Sequence, residues 1–269
     1  MVLYGQPVAE KIYQQLSQKI NELKDKKIHP DLAIILVGDD LASIKYVKAK
    51  EKIARKLGVE FHLYYLKKDS SADKIISLIK DLNNNKFVNG IVVQLPLPSD
   101  LPTEEIIRTI DPKKDIDGFS GQFSAPTAEA IIKILSFYNI DYRNKKIVII
   151  GHGILVGKPL AAMLKSQGIE AVVCDSKTKN LRKYTLKADI LISATGIKGL
   201  IGQKMINFET VVIDAGASES EGRLLGDIDP VLEKVLQTYT PVPGGVGPVT
   251  VAYLFSNLIF AAMQTEQNS

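Results

Sequence analysis

The sequence predicts an α/β protein of two domains, each built on a parallel sheet. Three observations support this fold class. Buried-looking strand segments alternate with amphipathic helical segments in the first half of the chain. In the second half, an apolar strand runs into a glycine-rich turn and then a helix. Between the second half and the last helix, residues 240–250 hold three prolines and three glycines, a density that excludes a helix or regular strand there and predicts a rigid loop.

Composition narrows the class further. The chain has 269 residues, of which 45% are hydrophobic and 24% charged, as in ordinary soluble domains. The net charge of +4 is too small to indicate a nucleic-acid partner. Cys174 is the only cysteine, which excludes an internal disulfide and fits a reducing compartment. Residues 1–10 lack a secretion signal, and no apolar stretch approaches the roughly 20 residues that span a bilayer, so we expect a cytoplasmic protein without membrane contact.

The first half alternates helix and strand. Apolar steps of three and four predict a helix over residues 8–23, and a continuous apolar run predicts a fully buried strand over 31–37. Gly38 ends that strand, and Asp39 or Asp40 is placed to cap the next helix, at about 41–57. The remaining predicted elements are a strand at 59–66, a helix at 72–82, a strand at 88–93 and a short helix at 104–109. This spacing indicates βαβ units in a parallel sheet.

Candidate functional side chains lie on the helix at 41–57 and after the third strand. Ser43, Tyr46 and Lys50 share one face of that helix. Gln94 ends the third strand, at the sheet edge where that helix also begins. Two interpretations stay open for these residues: a solvated basic face with a turn glutamine, or an aromatic platform with a lysine base oriented by an amide. The composition of residues 111–119, taken alone, predicts a turn.

The second half carries signs of a dinucleotide-binding unit. After a helix at 127–138, the strand at 146–150 enters Gly151-His152-Gly153, and Gly157 precedes a helix at 158–166. The spacing is one residue longer than the common dinucleotide fingerprint. A strand at 171–174 leads into Asp175, where an acid is placed to bind a ribose hydroxyl.

Together these features predict a Rossmann-type unit. Further strands are predicted at 189–194 and 211–214, with Gly196 and Gly216 beyond their ends. The final helix, over 251–263, is apolar nearly all round and needs burial on several sides. The three histidines do not cluster, so we predict no metal site.

Eight motifs link these segments to a known family. They are Val-Gly-Asp-Asp-Leu-Ala-Ser at 37–43, Tyr-x-x-x-Lys at 46–50, Gly-Ile-Val-Val-Gln-Leu-Pro-Leu-Pro at 90–98, Lys-Asp-Ile-Asp-Gly at 114–118, Val-Gly-Lys-Pro-Leu at 156–160, Ala-Thr-Gly at 194–196, Gly-Asp-Ile-Asp at 226–229 and Pro-Val-Pro-Gly-Gly-Val-Gly-Pro at 241–248. In this order they make nearly the whole chain resemble the bifunctional methylenetetrahydrofolate dehydrogenase/methenyltetrahydrofolate cyclohydrolase family.

The resemblance implies a folate-binding catalytic domain at residues 1–119 plus 249–269, with the C-terminal helix returning to it. It implies a Rossmann-type cofactor domain at 120–248 and a homodimer formed through that domain. The implied activity is oxidation of 5,10-methylenetetrahydrofolate with a nicotinamide cofactor, followed by hydrolysis of the methenyl product to 10-formyltetrahydrofolate. The alternatives from the residues alone are a Rossmann dehydrogenase for another small substrate and a nucleotide-sensing module.

Residue roles follow from the same resemblance. Lys50 is implied as the acid/base group, Gln94 as its positioning partner, Tyr46 as a stacking platform for folate, and Asp117 as a ligand of the pterin. The other implied substrate-binding residues are Ser43, Leu95, Pro96, Gly245 and Pro248. The implied cofactor-binding residues are Gly151, His152, Gly153, Val156, Gly157, Asp175, Ser176, Lys177, Thr195, Gly196, Gly216, Asp229 and Thr250.

The sequence departs from the family at positions that distinguish NADP from NAD. His152-Gly153 stands where the family has Arg-Ser, and Asp175 stands where it has histidine. An acid at that position repels a 2′-phosphate and favours NAD, whereas His152, Lys177 and Lys179 oppose that repulsion. We expect NADP from the habit of the family and leave NAD open. The segment at 125–130 also departs from the family, keeping only its threonine.

Overall fold

The computed structural model describes residues 1–220 and 223–266, which form two compact units. One unit contains Met1–Glu10 and Ala125–Thr250, and the other contains Lys11–Ser124 and the segment from Val251 onward. Both divisions near the termini fall inside a helix: α1 is Gly5–Asp25 and the last helix is Val246–Glu266. The functional division at residues 1–119 plus 249–269 and 120–248 stays a prediction, and its last three residues lie outside the described chain.

The unit that begins at Lys11 is built on a three-stranded parallel sheet. Its elements in chain order, after α1, are β1 (Asp31–Val37), α2 (Leu41–Leu57), β2 (Glu60–Leu66), α3 (Ala72–Asn84), β3 (Gly90–Val93) and α4 (Thr103–Arg108). The strand order is β2-β1-β3, and both pairings are parallel, as predicted. All seven residues of the central strand β1 are buried, which explains its unbroken apolar sequence.

The boundaries of α2 follow from its terminal residues. The Asp40 carboxylate accepts a hydrogen bond from Ser43 N at 2.7 Å and so caps the first turn. At the other end, Gly58 adopts a left-handed conformation with φ of 69°, which a glycine reaches without strain. The predicted bounds of α2 are therefore confirmed.

The other unit is built on a five-stranded parallel sheet in the order β10-β7-β6-β4-β5. Its elements are α5 (Pro126–Phe137), β4 (Ile147–Ile150), α6 (Gly157–Ser166), β5 (Ala171–Cys174), α7 (Leu181–Thr185), β6 (Ile190–Ser193), β7 (Val211–Asp214), β8 (Ser218–Ser220), β9 (Arg223–Leu225) and β10 (Thr238–Tyr239), followed by the first residues of α8 (Val246–Glu266). The sheet confirms the predicted Rossmann-type unit. The sequence prediction omits α7 and β8 to β10, because runs of two to five residues carry too little periodicity.

The final helix corrects two expectations. It begins at Val246, so residues 246–250 are helical although the proline and glycine content predicted a loop through residue 250. Pro248 is the third residue of the helix, where its missing N–H has no intrahelical acceptor to lose. With these residues added, Val246–Thr265 is long and apolar enough to span a membrane, contrary to the prediction, although 56% of the apolar window is buried inside the protein. The core helix of a soluble protein passes the same test.

The part of α8 from Val251 belongs to the unit that contains β1 to β3, as predicted for a returning C-terminal helix. Asn257 Nδ2 donates to the carbonyl oxygens of Ile116, at 2.8 Å, and Ser124, at 2.9 Å. Phe260 meets Phe123 edge to face, with ring centroids 6.2 Å apart. These contacts attach the helix to the segment that follows residue 115, which carries Asp117.

Lys114 closes the C-terminal end of α3 in the same unit. Its Nζ donates to the carbonyl oxygens of Leu82, Asn83 and Asn85 at 2.9, 2.7 and 2.7 Å. Carbonyl groups at a helix C-terminus have no intrahelical donors, and a cation there also interacts favourably with the helix dipole. Lys114 therefore ties the turn at residues 111–118 to the end of α3.

We predict that Lys114→Met destabilises this unit, because three carbonyl groups lose a charged donor. The expected loss in free energy of unfolding is about 2–4 kcal/mol. Lys113→Met is the matched control, since the neighbouring side chain is exposed. Urea unfolding followed by circular dichroism measures both, and equal midpoints for the two variants would contradict the assigned role of Lys114.

Candidate active site

The side chain of Lys50 is oriented by Gln94. Lys50 Nζ donates to Gln94 Oε1 at 2.9 Å. Gln94 directly follows β3, and its backbone N–H donates to the carbonyl oxygen of Ile35 at 2.9 Å, which extends the pairing of β3 with β1. Its side-chain Nε2 donates to Leu95 O at 2.8 Å, so the amide turns its oxygen towards the lysine. The structure thus brings together two residues that are 44 positions apart in the sequence.

Ser43 and Tyr46 lie on the same helix as Lys50, about two turns and one turn before it. Ser43 is buried, and its Oγ lies 3.5 Å from the carbonyl oxygen of Leu95. Tyr46 is half-buried, and burial raises the pKa of its phenol. Pro96, next to Leu95, is exposed. The predicted face of α2 therefore lies beside the loop that follows β3.

Burial and opposite charge set the electrostatics of Lys50 and Asp117. Burial lowers the pKa of the Lys50 ammonium, and the charge of Asp117 partly offsets this. Burial raises the pKa of the Asp117 carboxyl to about 6, with the charge of Lys50 opposing the shift and that of Asp115 adding to it. Desolvation thus moves both groups towards their neutral forms. A lysine with a lowered pKa exchanges a proton more readily near neutral pH.

Asp117 occupies the turn that the sequence also indicated. Gly118 has φ of 78°, and its N–H donates to Asp115 O at 3.0 Å. The buried Asp115 carboxylate accepts from Ser120 N at 2.6 Å. The sequence did not predict a role for Asp115, because a buried acid within a turn has no recognisable sequence pattern. The turn reading and the ligand reading of Asp117 are thus compatible.

In the other unit, the glycine-rich turn after β4 folds tightly on itself. Gly151 has φ of 100°, and its N–H donates to Cys174 O at 2.8 Å. A Cβ at Gly151 would collide with Ala194 O, and one at Gly157 would collide with Gly151 O. At Gly153, by contrast, a Cβ would meet nothing within 4 Å. Two glycines are required by close backbone packing, and the third faces open space.

This turn fits a nicotinamide dinucleotide. It brings backbone from the end of a strand to the first turn of α6, whose N-cap residue Val156 has no side chain able to cap it, while Lys158 N donates to Gly153 O at 3.0 Å. The N-terminus of a helix favours a negatively charged group such as a pyrophosphate. The open space at Gly153 leaves room for a ligand to approach.

Asp175 is an exposed, ionised acid directly after β5. Its Oδ1 accepts from Lys177 N at 2.9 Å and from Thr178 Oγ1 at 3.2 Å. The bond from Lys177 N, the bond from Thr178 and the charges of Lys177 and His152 hold the pKa of Asp175 below its usual range. His152 is therefore close enough to act on this carboxylate, as the sequence suggested, and Ser176 is exposed beside it.

Other predicted cofactor residues follow β6 and β7. Thr195 N donates to Asp227 Oδ2 at 2.7 Å, and Gly196 has φ of 70°. Gly216 N donates to Asp214 Oδ1 at 3.0 Å. The structure thus places Thr195, Gly196 and Gly216 at the carboxyl ends of neighbouring strands of one sheet.

The remaining predicted residues make local contacts within this unit. The Asp229 carboxylate caps the short helix after it by accepting from Val231 N at 3.0 Å. Thr250 Oγ1 donates to Val246 O at 3.2 Å. A Cβ at Gly245 would lie 2.6 Å from Pro241 O, so the loop before α8 itself requires a glycine there. Pro248 lies in the first turn of α8, in the same unit as Gly245.

Family models match both parts of the chain. Residues 3–117 match the catalytic domain of tetrahydrofolate dehydrogenase/cyclohydrolase, and residues 125–266 match the NAD(P)-binding domain of the same family. Among known proteins, the chain is 40% identical over 270 residues to "Bifunctional protein FolD" of Lactobacillus helveticus (strain DPC 4571), covering 96% of each chain.

Solved structures give the same result. The bifunctional FolD methylenetetrahydrofolate dehydrogenase/cyclohydrolase of Campylobacter jejuni superposes with a TM-score of 0.90 at 38% identity, covering 98% of this chain and 99% of that one. The Trypanosoma brucei methylenetetrahydrofolate dehydrogenase-cyclohydrolase, solved with NADP and an inhibitor, superposes with a TM-score of 0.92 at 28% identity, covering 99% of this chain and 98% of that one.

We predict that Gly157→Ala weakens dinucleotide binding, because the new Cβ would collide with Gly151 O and force the turn open. The dissociation constant for NADP should rise about tenfold or more, as expected for strain of a few kcal/mol at a packed backbone. Gly153→Ala is the matched control in the same turn, where a methyl group meets nothing within 4 Å. Isothermal titration calorimetry measures both, and equal dissociation constants would contradict the packing argument.

Proposed function

Because the chain belongs to the tetrahydrofolate dehydrogenase/cyclohydrolase family, we propose that its two reactions divide between the sites described above. The protein is a bifunctional methylenetetrahydrofolate dehydrogenase and methenyltetrahydrofolate cyclohydrolase. The observation that carries the proposed assignment of residues is the hydrogen bond from Lys50 Nζ to Gln94 Oε1. A Rossmann dehydrogenase for an unrelated substrate does not explain a catalytic-domain match over residues 3–117.

Hydrolysis requires a group that takes up and returns a proton. Water adds to the bridging carbon of the methenyl cation and loses a proton, which leaves a hydroxyl group on that carbon. The bond from the carbon to N5 then breaks as the hydroxyl loses its proton and N5 gains one, leaving the formyl group on N10. Lys50 suits both transfers, because burial lowers its pKa and raises the fraction that is neutral and able to accept a proton. Gln94 Oε1 accepts from Nζ and so directs the lysine lone pair and its remaining hydrogens.

Substrate orientation falls to the neighbours of Lys50. Tyr46, about one turn before Lys50 on the same helix face, offers an aromatic surface for the pterin ring system. Asp117 offers a carboxylate to the donor groups of the pterin, and Ser43, Leu95 and Pro96 complete the wall beside it. A ring that donates hydrogen bonds to this carboxylate would favour the ionised form of Asp117, whose pKa is raised to about 6 by burial in the free protein.

The dehydrogenase reaction needs orientation more than proton transfer. When bound, the nicotinamide cofactor accepts a hydride from the methylene carbon. The role of the chain is to hold the cofactor. In this proposal the turn at residues 151–157 binds the pyrophosphate. The other cofactor-binding residues of the same unit are Thr195, Gly196, Gly216, Asp229 and Thr250. Gly245 and Pro248 belong to the substrate-binding set in this proposal.

The domain binds NAD(P). We assign NADP as the preferred cofactor, in line with the Trypanosoma brucei relative that was solved with NADP. The assignment needs His152, Lys177 and Lys179 to offset the ionised Asp175. The charges of His152 and Lys177 already act on Asp175, which supports this compensation.

A homodimer through the cofactor domain also forms part of the proposal. β5 is an edge strand of the five-stranded sheet, and its Val172 side chain is exposed. The opposite edge strand, β10, is bridged by Val2 at Tyr239. An unpaired edge strand favours pairing with a second copy. A cytoplasmic location agrees with the single cysteine, Cys174, which is free and buried.

We predict that Lys50→Met removes the cyclohydrolase reaction and largely spares the dehydrogenase. The loss in kcat/KM for methenyltetrahydrofolate should be about 100-fold or more, as for removal of a general acid/base. Dehydrogenase kcat should fall by less than about tenfold, because that step depends on orientation. Lys48→Met, an exposed lysine on the same helix, is the control. Hydrolysis that survives in the Lys50 variant would disprove the role of Lys50.

We predict that Asp175→Ser raises the preference for NADP over NAD, since it removes a negative charge beside the expected 2′-phosphate. The ratio of kcat/KM for the two cofactors should change about three- to tenfold in favour of NADP, and the change should shrink at high ionic strength. Glu170→Ser is the matched control, because Glu170 is an exposed acid at the other end of β5. An unchanged ratio would show that Asp175 does not face the phosphate.

A further inference from the structure

Asp227 lies in the Gly-Asp-Ile-Asp motif but has no role in the scheme above. Asp227 is fully buried. Its Oδ2 accepts from Ser193 Oγ at 2.7 Å and from Thr195 N at 2.7 Å. Ser193 is the last residue of β6, and Thr195 belongs to the proposed cofactor site. One carboxylate oxygen therefore holds the chain at the point where it leaves β6.

Asp214, the last residue of β7, makes a matching set of contacts. Its Oδ1 accepts from Gly216 N at 3.0 Å and from Asp227 N at 3.1 Å, and its Oδ2 accepts from Ile228 N at 2.9 Å. The two carboxylates thus connect three segments: the exit of β6, the exit of β7 and residues 226–228. Two of these segments carry proposed cofactor-binding residues.

Gly216 and Gly226 lie directly against the two carboxylates. A Cβ at Gly216 would overlap the Asp227 carboxylate, and a Cβ at Gly226 would overlap the Asp214 carboxylate. The Asp227 carboxylate therefore occupies the space that a side chain at residue 216 would need. In the same way, the Asp214 carboxylate occupies the space that a side chain at residue 226 would need. The two glycines and the two aspartates form one interlocking arrangement.

The arrangement is electrostatically unfavourable. Burial and the charge of Asp227 together raise the pKa of Asp214 to about 6, although three hydrogen bonds from the backbone N–H groups of Ile228, Asp227 and Gly216 act to lower it. Asp227 Oδ1 has no hydrogen-bond partner within residues 1–220 and 223–266. Two buried acids side by side destabilise a fold unless other contacts offset the cost. Local stability alone does not account for Asp227.

We propose that Asp227 is a positioning residue for the dehydrogenase, which, together with Asp214, holds Thr195 and Gly216 where the nicotinamide cofactor binds. This inference rests on the proposed placement of the cofactor at Thr195, Gly196 and Gly216. It assigns Asp227 no part in hydrolysis of methenyltetrahydrofolate, because its hydrogen bonds all lie within the cofactor-binding unit.

The test compares Asp227→Ala and Asp227→Asn with the wild-type protein. Calorimetry gives the dissociation constant for NADP, and hydrogen exchange followed by mass spectrometry reports on the Thr195 amide. Hydrolysis of methenyltetrahydrofolate without a nicotinamide cofactor serves as an internal control. Asp227→Ala should raise the dissociation constant about tenfold or more and speed exchange at residues 193–197, since Thr195 N loses a charged acceptor. Hydrolysis should stay within about twofold.

Asp227→Asn distinguishes the loss of the hydrogen-bond acceptor for Thr195 from the loss of the buried negative charge. Asparagine keeps an oxygen acceptor for Thr195 N, so its dissociation constant should lie within about threefold of wild type. If asparagine were as damaging as alanine, positioning through this acceptor would be overturned. Should the alanine variant fail to fold, Ser193→Ala removes one of the same two bonds and should raise the dissociation constant about threefold.

The two possible failures give different results. Unchanged exchange at residues 193–197 in Asp227→Ala would overturn the positioning role, whatever the cofactor affinity. Faster exchange with an unchanged dissociation constant would show that Thr195 does not bind the cofactor, and the proposed placement and the inference would both fail. An equal loss of hydrolysis and cofactor binding would overturn a role confined to the dehydrogenase.

Discussion

The bond between Lys50 Nζ and Gln94 Oε1 depends on the parallel pairing of β1 with β3. That pairing continues past the strand, because Gln94 N donates to Ile35 O, and so places the glutamine at the carboxyl edge of the sheet. α2 begins at the same edge under the cap of Asp40, which sets the phase of its faces. Strand register and helix cap together determine whether a lysine in the middle of α2 reaches the amide.

Burial then gives this lysine its chemical character. A solvated Lys50 would stay almost fully protonated near neutral pH, whereas burial lowers its pKa. Asp117 limits the shift, and burial acts on its own carboxyl in the opposite direction. Because each group stabilises the charged form of the other, a substrate that displaces water or pairs with Asp117 changes the proton affinity of Lys50. In the proposed mechanism, substrate binding and proton transfer are therefore coupled through two side chains.

Much of this arrangement could be predicted from the sequence. β1, β5, β7 and α2 have the predicted bounds, because apolar runs flanked by glycine or aspartate define them clearly. The meeting of Lys50 with Gln94 followed from the rule that the carboxyl ends of parallel strands share an edge. The predicted start of α8 was wrong. Proline disrupts the interior of a helix but is tolerated in its first turn, where Pro248 lies. The Asp214–Asp227 arrangement was missed, since no pattern distinguishes a buried acid from a turn acid.

The two units position their functional groups by different physical means. Around the glycine-rich turn of the cofactor unit, Gly151 and Gly157 sit where backbone oxygens exclude any side chain. Such packing has little freedom, which suits a reaction that depends on the orientation of its reactants. The other unit relies on hydrogen bonds between the titratable or polar side chains of Lys50 and Gln94 and on the charge of Asp117. Lys50 and Asp117 are titratable, which suits a reaction that moves protons. Sequence changes that repack the cofactor turn should therefore affect hydride transfer first, whereas changes in charge near Lys50 should affect hydrolysis first.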